Sequence, residues 1–158
     1  WDHGCVEISA KTEYALRAML QLTDAAGDDA PISVDALARA QGLPRKFLES
    51  ILADLRRADL VLSTKGARGG YRLARPAADI PVGAVMRAVD GPLAAVRGRR
   101  PQDTTYDGVA QHLPMLWIAV RSSLRQVLDE TSLEQLGSGD LPIRVRALAE
   151  IPDAWQNR

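Results

Sequence analysis

The chain has 158 residues, of which 46% are hydrophobic, 25% charged and 4% aromatic, and its formal net charge is zero. This length suits one domain with an appended helix and is enough to bury a core without disulfides. The low content of aromatic residues favours helices over sheets. The lone cysteine, Cys5, excludes a disulfide framework within the chain.

The sequence shows no pattern typical of a membrane helix or of a signal sequence. No apolar run approaches the roughly 18 residues that a membrane helix needs. No signal sequence of basic, apolar and small residues opens the chain. We therefore expect a cytoplasmic protein without a membrane partner. Residues 1–5 fit no periodic pattern and are left out of the fold prediction.

Charge is unevenly distributed along this neutral chain. From Arg39 to Arg75 there are nine cations and three acids, a net charge of +6, which leaves −6 for the rest. A basic segment in a neutral protein polarises the surface and is typical of a nucleic-acid footprint.

The N-terminal half predicts a helix-turn-helix. Ser9 can cap a first helix over 10–26, and Ser33 a short second helix over 34–40. Gly42 suits the left-handed turn after a helix end, and Pro44 suits the first turn of a third helix over 44–58. The third helix has an apolar stripe, which consists of Phe47, Leu48, Ile51, Leu52 and Leu55. An ordinary helical hairpin is the alternative interpretation of this spacing alone.

A predicted hairpin follows the third helix. Residues 60–62 and 71–73 indicate short strands, and the polar, glycine-rich segment 63–70 between them carries Lys65 and Arg68. A basic hairpin after a helix-turn-helix is typical of a wing. The segment could also suggest a phosphate-binding loop, but it lacks the Gly-Lys-Ser/Thr ending, and no helix opens directly from it.

The C-terminal half predicts further helices. A fourth helix is expected over 80–88 with Pro81 in its first turn, followed by an irregular, exposed and mobile loop over 93–107. A long amphipathic helix follows over 109–130, then a short helix capped by Ser132 and a last helix over 143–151. We infer that the long helix pairs with a second copy. Its predicted dimerisation residues are Leu113, Leu116, Trp117, Val120, Leu124, Val127 and Leu128.

Several stretches together resemble the Rrf-two (Rrf2) family of winged-helix transcriptional regulators. They are ISAKTEYALRAM at 8–19, LARAQGL at 37–43, FLE at 47–49, KGARGGYRLARP at 65–76, VGAV at 82–85, AVDGP at 88–92, LW at 116–117 and TSLEQL at 131–136. The resemblance implies a mainly α fold with four parts. A winged helix-turn-helix DNA-binding domain occupies 8–92, a loop 93–108, a dimerisation helix with a short following helix 109–136, and a C-terminal tail 137–158.

The resemblance also implies how DNA is bound. A homodimer recognises a roughly palindromic double-stranded operator, with the third helix in the major groove and the wing in the adjacent minor groove. By position, Arg45, Lys46 and Glu49 face base edges and Lys65 lies at the minor groove. The implied backbone contacts that set the register are Lys11, Ser33, Arg56 and Arg68.

The chain departs from the family pattern in one respect. Many members hold an iron–sulfur cluster with three cysteines in the loop before the dimerisation helix, but 93–114 contains no cysteine. Glu13 matches the position of a carboxylate ligand in certain members, and His112 lies near the long helix. We interpret both as surface residues and expect neither a metal site nor a cluster.

The sequence therefore predicts a sequence-specific DNA-binding regulator, a repressor that acts as a homodimer without a cofactor. A small molecule or a protein partner is a possible effector. The alternative function is a winged-helix protein-interaction module controlled by a partner protein. With two histidines and no nucleophile–base arrangement, nothing predicts an enzyme.

Overall fold

The computed structural model describes residues 7–28 and 30–156, and it confirms a mainly helical chain with a small sheet. Residues 1–5, including Cys5, lie outside the described residues. The main elements in chain order are α1 (Ala10–Asp24), α2 (Val34–Gln41), α3 (Arg45–Arg57), β1 (Val61–Thr64), β2 (Gly70–Leu73), α4 (Val82–Asp90), α5 (Leu113–Leu128), α6 (Leu133–Ser138) and α7 (Ile143–Ala149).

Helix α1 is the centre of the core, because α2, α3, α4, α6 and β2 all pack against it. Its buried side chains are Thr12, Ala15, Ala18, Met19 and Leu22. They meet a buried row on α3, which consists of Leu48, Ile51, Leu52 and Leu55. Burial of this much apolar surface is the main stabilisation of a domain of this size.

Local signals explain the helix-turn-helix. The hydroxyl oxygens of Ser9 and Ser33 accept hydrogen bonds from the backbone N–H groups of Thr12 and Ala36, so both predicted caps are confirmed. Gly42 ends α2 in the left-handed conformation, with φ 62° and ψ 38°.

Three details near these helices differ from the prediction. α1 ends at Asp24, and a 3-10 turn over Ala25–Asp28 replaces its expected last residues. Pro44 is the residue before α3 and has an extended backbone, so the helix starts one residue later than predicted. Phe47 is exposed and meets the ring of Tyr14 edge-on at 5.5 Å, so it lies outside the buried stripe.

The predicted hairpin is present with slightly shifted strands. β1 pairs antiparallel with β2, and the register places Val61 opposite Leu73 and Thr64 opposite Gly70. Ile32, just before α2, extends this sheet by one residue through two backbone hydrogen bonds with Tyr71 of 2.9 and 2.8 Å. The wing is therefore tied to the start of the helix-turn-helix.

Backbone hydrogen bonds join α4 to α6. The N–H of Val82 donates to the carbonyl oxygen of Thr131 at 2.8 Å, and that of Leu133 donates to Ile80 at 2.9 Å. Because Ile80 and Pro81 take part in this extended pairing, α4 begins at Val82 and not at residue 80. Ser132 caps α6 in a reciprocal arrangement with Gln135, as predicted.

The segment between α4 and α5 is partly buried, which the sequence did not predict. Pro101 and Thr104 are buried, and the Thr104 hydroxyl donates to the carbonyl oxygen of Pro101 at 2.7 Å. The 3-10 turn Pro101–Asp103 packs against α5, where Arg121 donates to the side chain of Gln102 at 2.7 Å. The expectation of an exposed loop is therefore wrong for Pro101 and Thr104, although the nearby arginines are exposed.

The long helix is shorter than predicted. α5 begins at Leu113, after a separate 3-10 turn over Gly108–Ala110, since Pro114 must lie in the first helical turn. It ends at Leu128, and none of its side chains is buried. α7 likewise ends at Ala149, before a turn at Pro152–Trp155. No described helix combines the length and apolar composition that crossing a bilayer requires.

Candidate nucleic-acid interface

The start of α3 carries the residues predicted to read base edges. Arg45, Lys46 and Glu49 are all exposed. The Arg45 guanidinium lies 3.1 Å from Glu49 one turn later and also 3.1 Å from Asp35 on α2. Sequence reasoning missed Asp35, because only the packing of α2 beside α3 brings it to Arg45.

Lys11 is held in an ion pair. Its ammonium nitrogen lies 2.6 Å from Oδ2 of Asp54 on α3, and the other oxygen of that carboxylate accepts from Arg57. The hydrogen bond from Lys11, together with the positive charges of Lys11 and Arg57, lowers the pKa of Asp54, although burial opposes this shift. The predicted phosphate contact by Lys11 remains a prediction, and it requires this ion pair to open or to share the cation.

Ser33 lies at the N-terminus of α2. Its hydroxyl oxygen accepts from the N–H of Ala36 at 3.2 Å, and the residue is exposed. The hydroxyl hydrogen therefore remains available to donate, for instance to a phosphate oxygen. The positive end of the α2 dipole favours an anion there.

The wing presents cations to solvent. Lys65 and Arg68 are exposed in the turn between β1 and β2. Arg56, at the end of α3, donates to the hydroxyl of Ser63 on β1 at 3.3 Å, so α3 and the wing form a continuous surface.

Arg72 on β2 is also exposed but was not among the predicted site residues. Strand alternation could have found it, because the flanking Tyr71 and Leu73 are half-buried.

A second surface lies along α5 and consists of an apolar groove of about 720 Å³. Leu116 and Val120 are 53% and 43% exposed and line the same groove, and a contiguous exposed apolar patch is typical of an interaction site. Five predicted dimerisation residues line the groove: Leu116, Val120, Leu124, Val127 and Leu128. The structure places Leu113 and Trp117 outside this lining. Sequence reasoning missed Ile8, Met86, Leu93 and Leu148, which line it from other elements.

The residues present do not fit the iron–sulfur cluster that the resemblance implies. Glu13 forms an ion pair with Arg17 at 3.5 Å, and His112 is exposed just before α5. Within residues 7–28 and 30–156, no group of three or more His, Cys, Asp or Glu side chains is placed to hold a metal ion. Clusters of this kind need thiolates, and 93–114 contains none.

Comparison with known proteins agrees with this architecture. The family model Rrf2, described as an iron-dependent transcriptional regulator, matches residues 8–139. Rv1287, a candidate HTH-type transcriptional regulator of Mycobacterium tuberculosis H37Rv, is 46% identical over 145 residues, which cover 92% of this chain and 89% of that protein.

Solved structures of transcriptional regulators are also similar to this chain. CymR (YrzC), the global cysteine regulator of B. subtilis, superposes with a TM-score of 0.71 at 33% identity, over 85% of this chain and 98% of that one. IscR of T. potens superposes with a TM-score of 0.63 at 30% identity, over 97% of this chain and 93% of that one. These relatives are transcriptional regulators and not enzymes. The chain belongs to the Rrf2 family of transcriptional regulators.

Proposed function

We propose that this protein is a cluster-independent repressor that binds a palindromic operator as a homodimer. The observation that carries the proposal is the continuous basic surface of α3 and the wing. Its exposed cations are Arg56, Lys65, Arg68 and Arg72. Cations grouped on a helix-turn-helix and its wing match the phosphate backbone of DNA, whose neutralisation releases counterions.

Base reading is assigned to the first turns of α3. An α-helix fits the major groove of B-form DNA, and its N-terminal residues are those that reach base edges. Arginine and lysine can donate to guanine, and a carboxylate such as Glu49 can accept from cytosine. The exposure of Arg45, Lys46 and Glu49 supports this role.

The wing is assigned to the adjacent minor groove. Gly66 has a φ of 108°, a conformation that favours glycine, and the lack of side chains at Gly66, Gly69 and Gly70 lets the backbone approach a sugar-phosphate surface. Lys65 and Arg68 beside these glycines supply positive charge. Ser33, Arg56 and, with its ion pair opened, Lys11 complete the proposed phosphate contacts.

Dimerisation is supported by the groove along α5. A helix of 16 residues with apolar side chains and no buried residue has unfilled packing capacity. A second copy related by a twofold axis covers the groove with the same surface and presents two copies of α3 to DNA. Twofold symmetry of the protein then requires an approximately palindromic operator.

The remaining parts of the proposal concern regulation. Because residues 93–114 contain no cysteine to hold a cluster, operator binding does not depend on iron, and a small molecule or protein partner is the candidate effector. Repression follows from occupancy, since a bound dimer excludes other proteins from the same DNA. The proposed location is the cytoplasm, where the operator DNA of a bacterial-type regulator lies.

The test is selection of genomic fragments by metal-free protein at near-physiological salt, followed by sequencing. We expect a shared palindromic motif, and we expect Lys65→Ala/Arg68→Ala to recover far fewer fragments than Arg99→Ala/Arg100→Ala, a control pair of exposed arginines outside α3 and the wing. A folded protein that enriches no motif would contradict cluster-independent binding. It would favour an effector-dependent regulator or a protein-interaction module.

A further inference from the structure

Arg45 is held between two carboxylates on different helices. Its Nη1 lies 3.1 Å from Oδ1 of Asp35 on α2, and its Nε lies 3.1 Å from Oε1 of Glu49 on α3. All three side chains are about half exposed, so each pair adds little to folding stability. Their shared position at the start of α3 has a consequence for DNA binding instead.

The two carboxylates neutralise the base-reading end of the interface. Asp35 and Glu49 balance the charges of Arg45 and Lys46, whereas the end of α3 and the wing carry exposed cations. Non-specific affinity depends on cations that contact phosphates. The arrangement therefore separates a neutral surface that faces bases from a basic surface that faces the backbone.

The anchored guanidinium keeps free donors. An arginine has five N–H donors, and the contacts to Asp35 and Glu49 occupy Nη1 and Nε, which leaves Nη2 without a partner within residues 7–28 and 30–156. The second oxygen of Glu49 remains an acceptor. Donor and acceptor side by side complement the major-groove edge of a guanine–cytosine pair, which offers acceptors on guanine and an amino donor on cytosine.

We propose that Asp35 is a positioning residue for sequence specificity, which holds Arg45 beside Glu49 for a guanine–cytosine pair and keeps Arg45 from phosphates. The inference rests on the proposed operator binding. The Glu49 contact alone joins residues one turn apart on the same helix, and both side chains can swing together. The Asp35 contact comes from α2 and fixes the guanidinium relative to the helix-turn-helix.

The test compares Asp35→Asn with wild type on two duplexes, one of random sequence and one recovered by wild-type selection, by fluorescence anisotropy at 50–200 mM salt. Asp79→Asn is the matched control, because Asp79 is exposed and lies beside Glu134 and Gln135. Asp35→Glu keeps the charge and tests rescue. Thermal denaturation of every variant verifies folding.

In Asp35→Asn, Arg45 is free to contact one more phosphate. Random-duplex affinity should then fall about threefold more than in wild type over this salt range, the effect of one added contact. The ratio of selected to random affinity should fall on the order of tenfold, with the loss at guanine–cytosine positions. Asp35→Glu should restore most of the ratio, and Asp79→Asn should match wild type.

Two results would overturn the inference: an unchanged salt dependence on random DNA, or an equal loss of affinity on both duplexes. A failure of the proposed operator binding gives a different result from either of these two. If wild-type protein selects no motif, operator binding as proposed fails, and the random-duplex salt series alone then decides whether Asp35 restrains Arg45.

Discussion

The ammonium nitrogen of Lys11 lies 2.6 Å from Oδ2 of Asp54, and this contact joins the first turn of α1 to α3. The Asp54 side chain is only 13% exposed and the Lys11 side chain 29%. A carboxylate this sheltered is stabilised in its charged form by its cationic neighbours, which is why its pKa is lowered. The contact also orients α3, whose other end reads the DNA in the proposed complex.

Stability should therefore depend on the charge of Asp54. Because its pKa is lowered on folding, this stabilisation is present above the unfolded value of 3.8 and is lost as the pH falls below it. We expect Asp54→Asn to lower the free energy of unfolding by about 1 kcal/mol at pH 7. Urea denaturation between pH 7 and pH 3 should show the deficit shrinking in acid. A deficit that is the same at both ends of this range would assign the effect to packing.

The wing lysine should contribute non-specific affinity. Lys65→Ala removes one exposed cation, so affinity should fall about equally for all sequences, and the negative slope of log K against log salt should become shallower by about 0.9. Anisotropy titrations with random and selected duplexes measure both quantities. Arg146→Ala on α7 removes the same charge outside the wing and is the control. Unchanged affinity in Lys65→Ala would remove the wing from the interface.

Glu49 should contribute to sequence preference. Glu49→Ala removes the acceptor for cytosine, and a lost base contact costs roughly 1–3 kcal/mol of discrimination. We expect selection by the variant to recover a more degenerate motif while its affinity for random DNA is maintained or raised. A uniform loss on all sequences would instead place Glu49 in a structural role.

Gly70 should be indispensable for the wing. A Cβ atom at this position would lie 2.3 Å from the carbonyl oxygen of Ile32 and 2.7 Å from the N–H nitrogen of Ser33, both backbone atoms that cannot rotate away. We expect Gly70→Ala to cost about 3 kcal/mol of stability in thermal or urea denaturation. Gly27→Ala is the control, because a Cβ there meets nothing within 4 Å. Equal stability of the two variants would refute the close approach.

The groove along α5 should decide the oligomeric state. Val120→Glu places a charge in the groove, where a second copy could not solvate it, so the dimer should dissociate in sedimentation experiments at micromolar concentration. Met115→Glu is the control on the same helix, since Met115 is 74% exposed and does not line the groove. Dissociation by Met115→Glu alone would move the dimer interface to another face.

Much of the fold was predictable because its signals are local. A cap such as Ser33 is read from the residues within one helical turn, and the left-handed turn at Gly42 needs only the residue type. The wing follows from two short strands around a glycine-rich turn. Family resemblance added the proposed roles of Arg45, Glu49 and Lys65, which local patterns alone leave as exposed charges.

Other features depend on how distant elements meet. The ion pairs of Lys11 with Asp54 and of Asp35 with Arg45 form only where two helices pack side by side. The spacing of residues along the chain does not predict which helices pack together. The burial of Thr104 likewise depends on the packing of a turn against α5, and the sequence pattern of that turn predicted an exposed loop. By itself, the sequence determined which segments are helical, which of them are capped by serine and where cations are concentrated. Only the tertiary structure decided which charges are free to meet DNA, because pairing requires three-dimensional proximity.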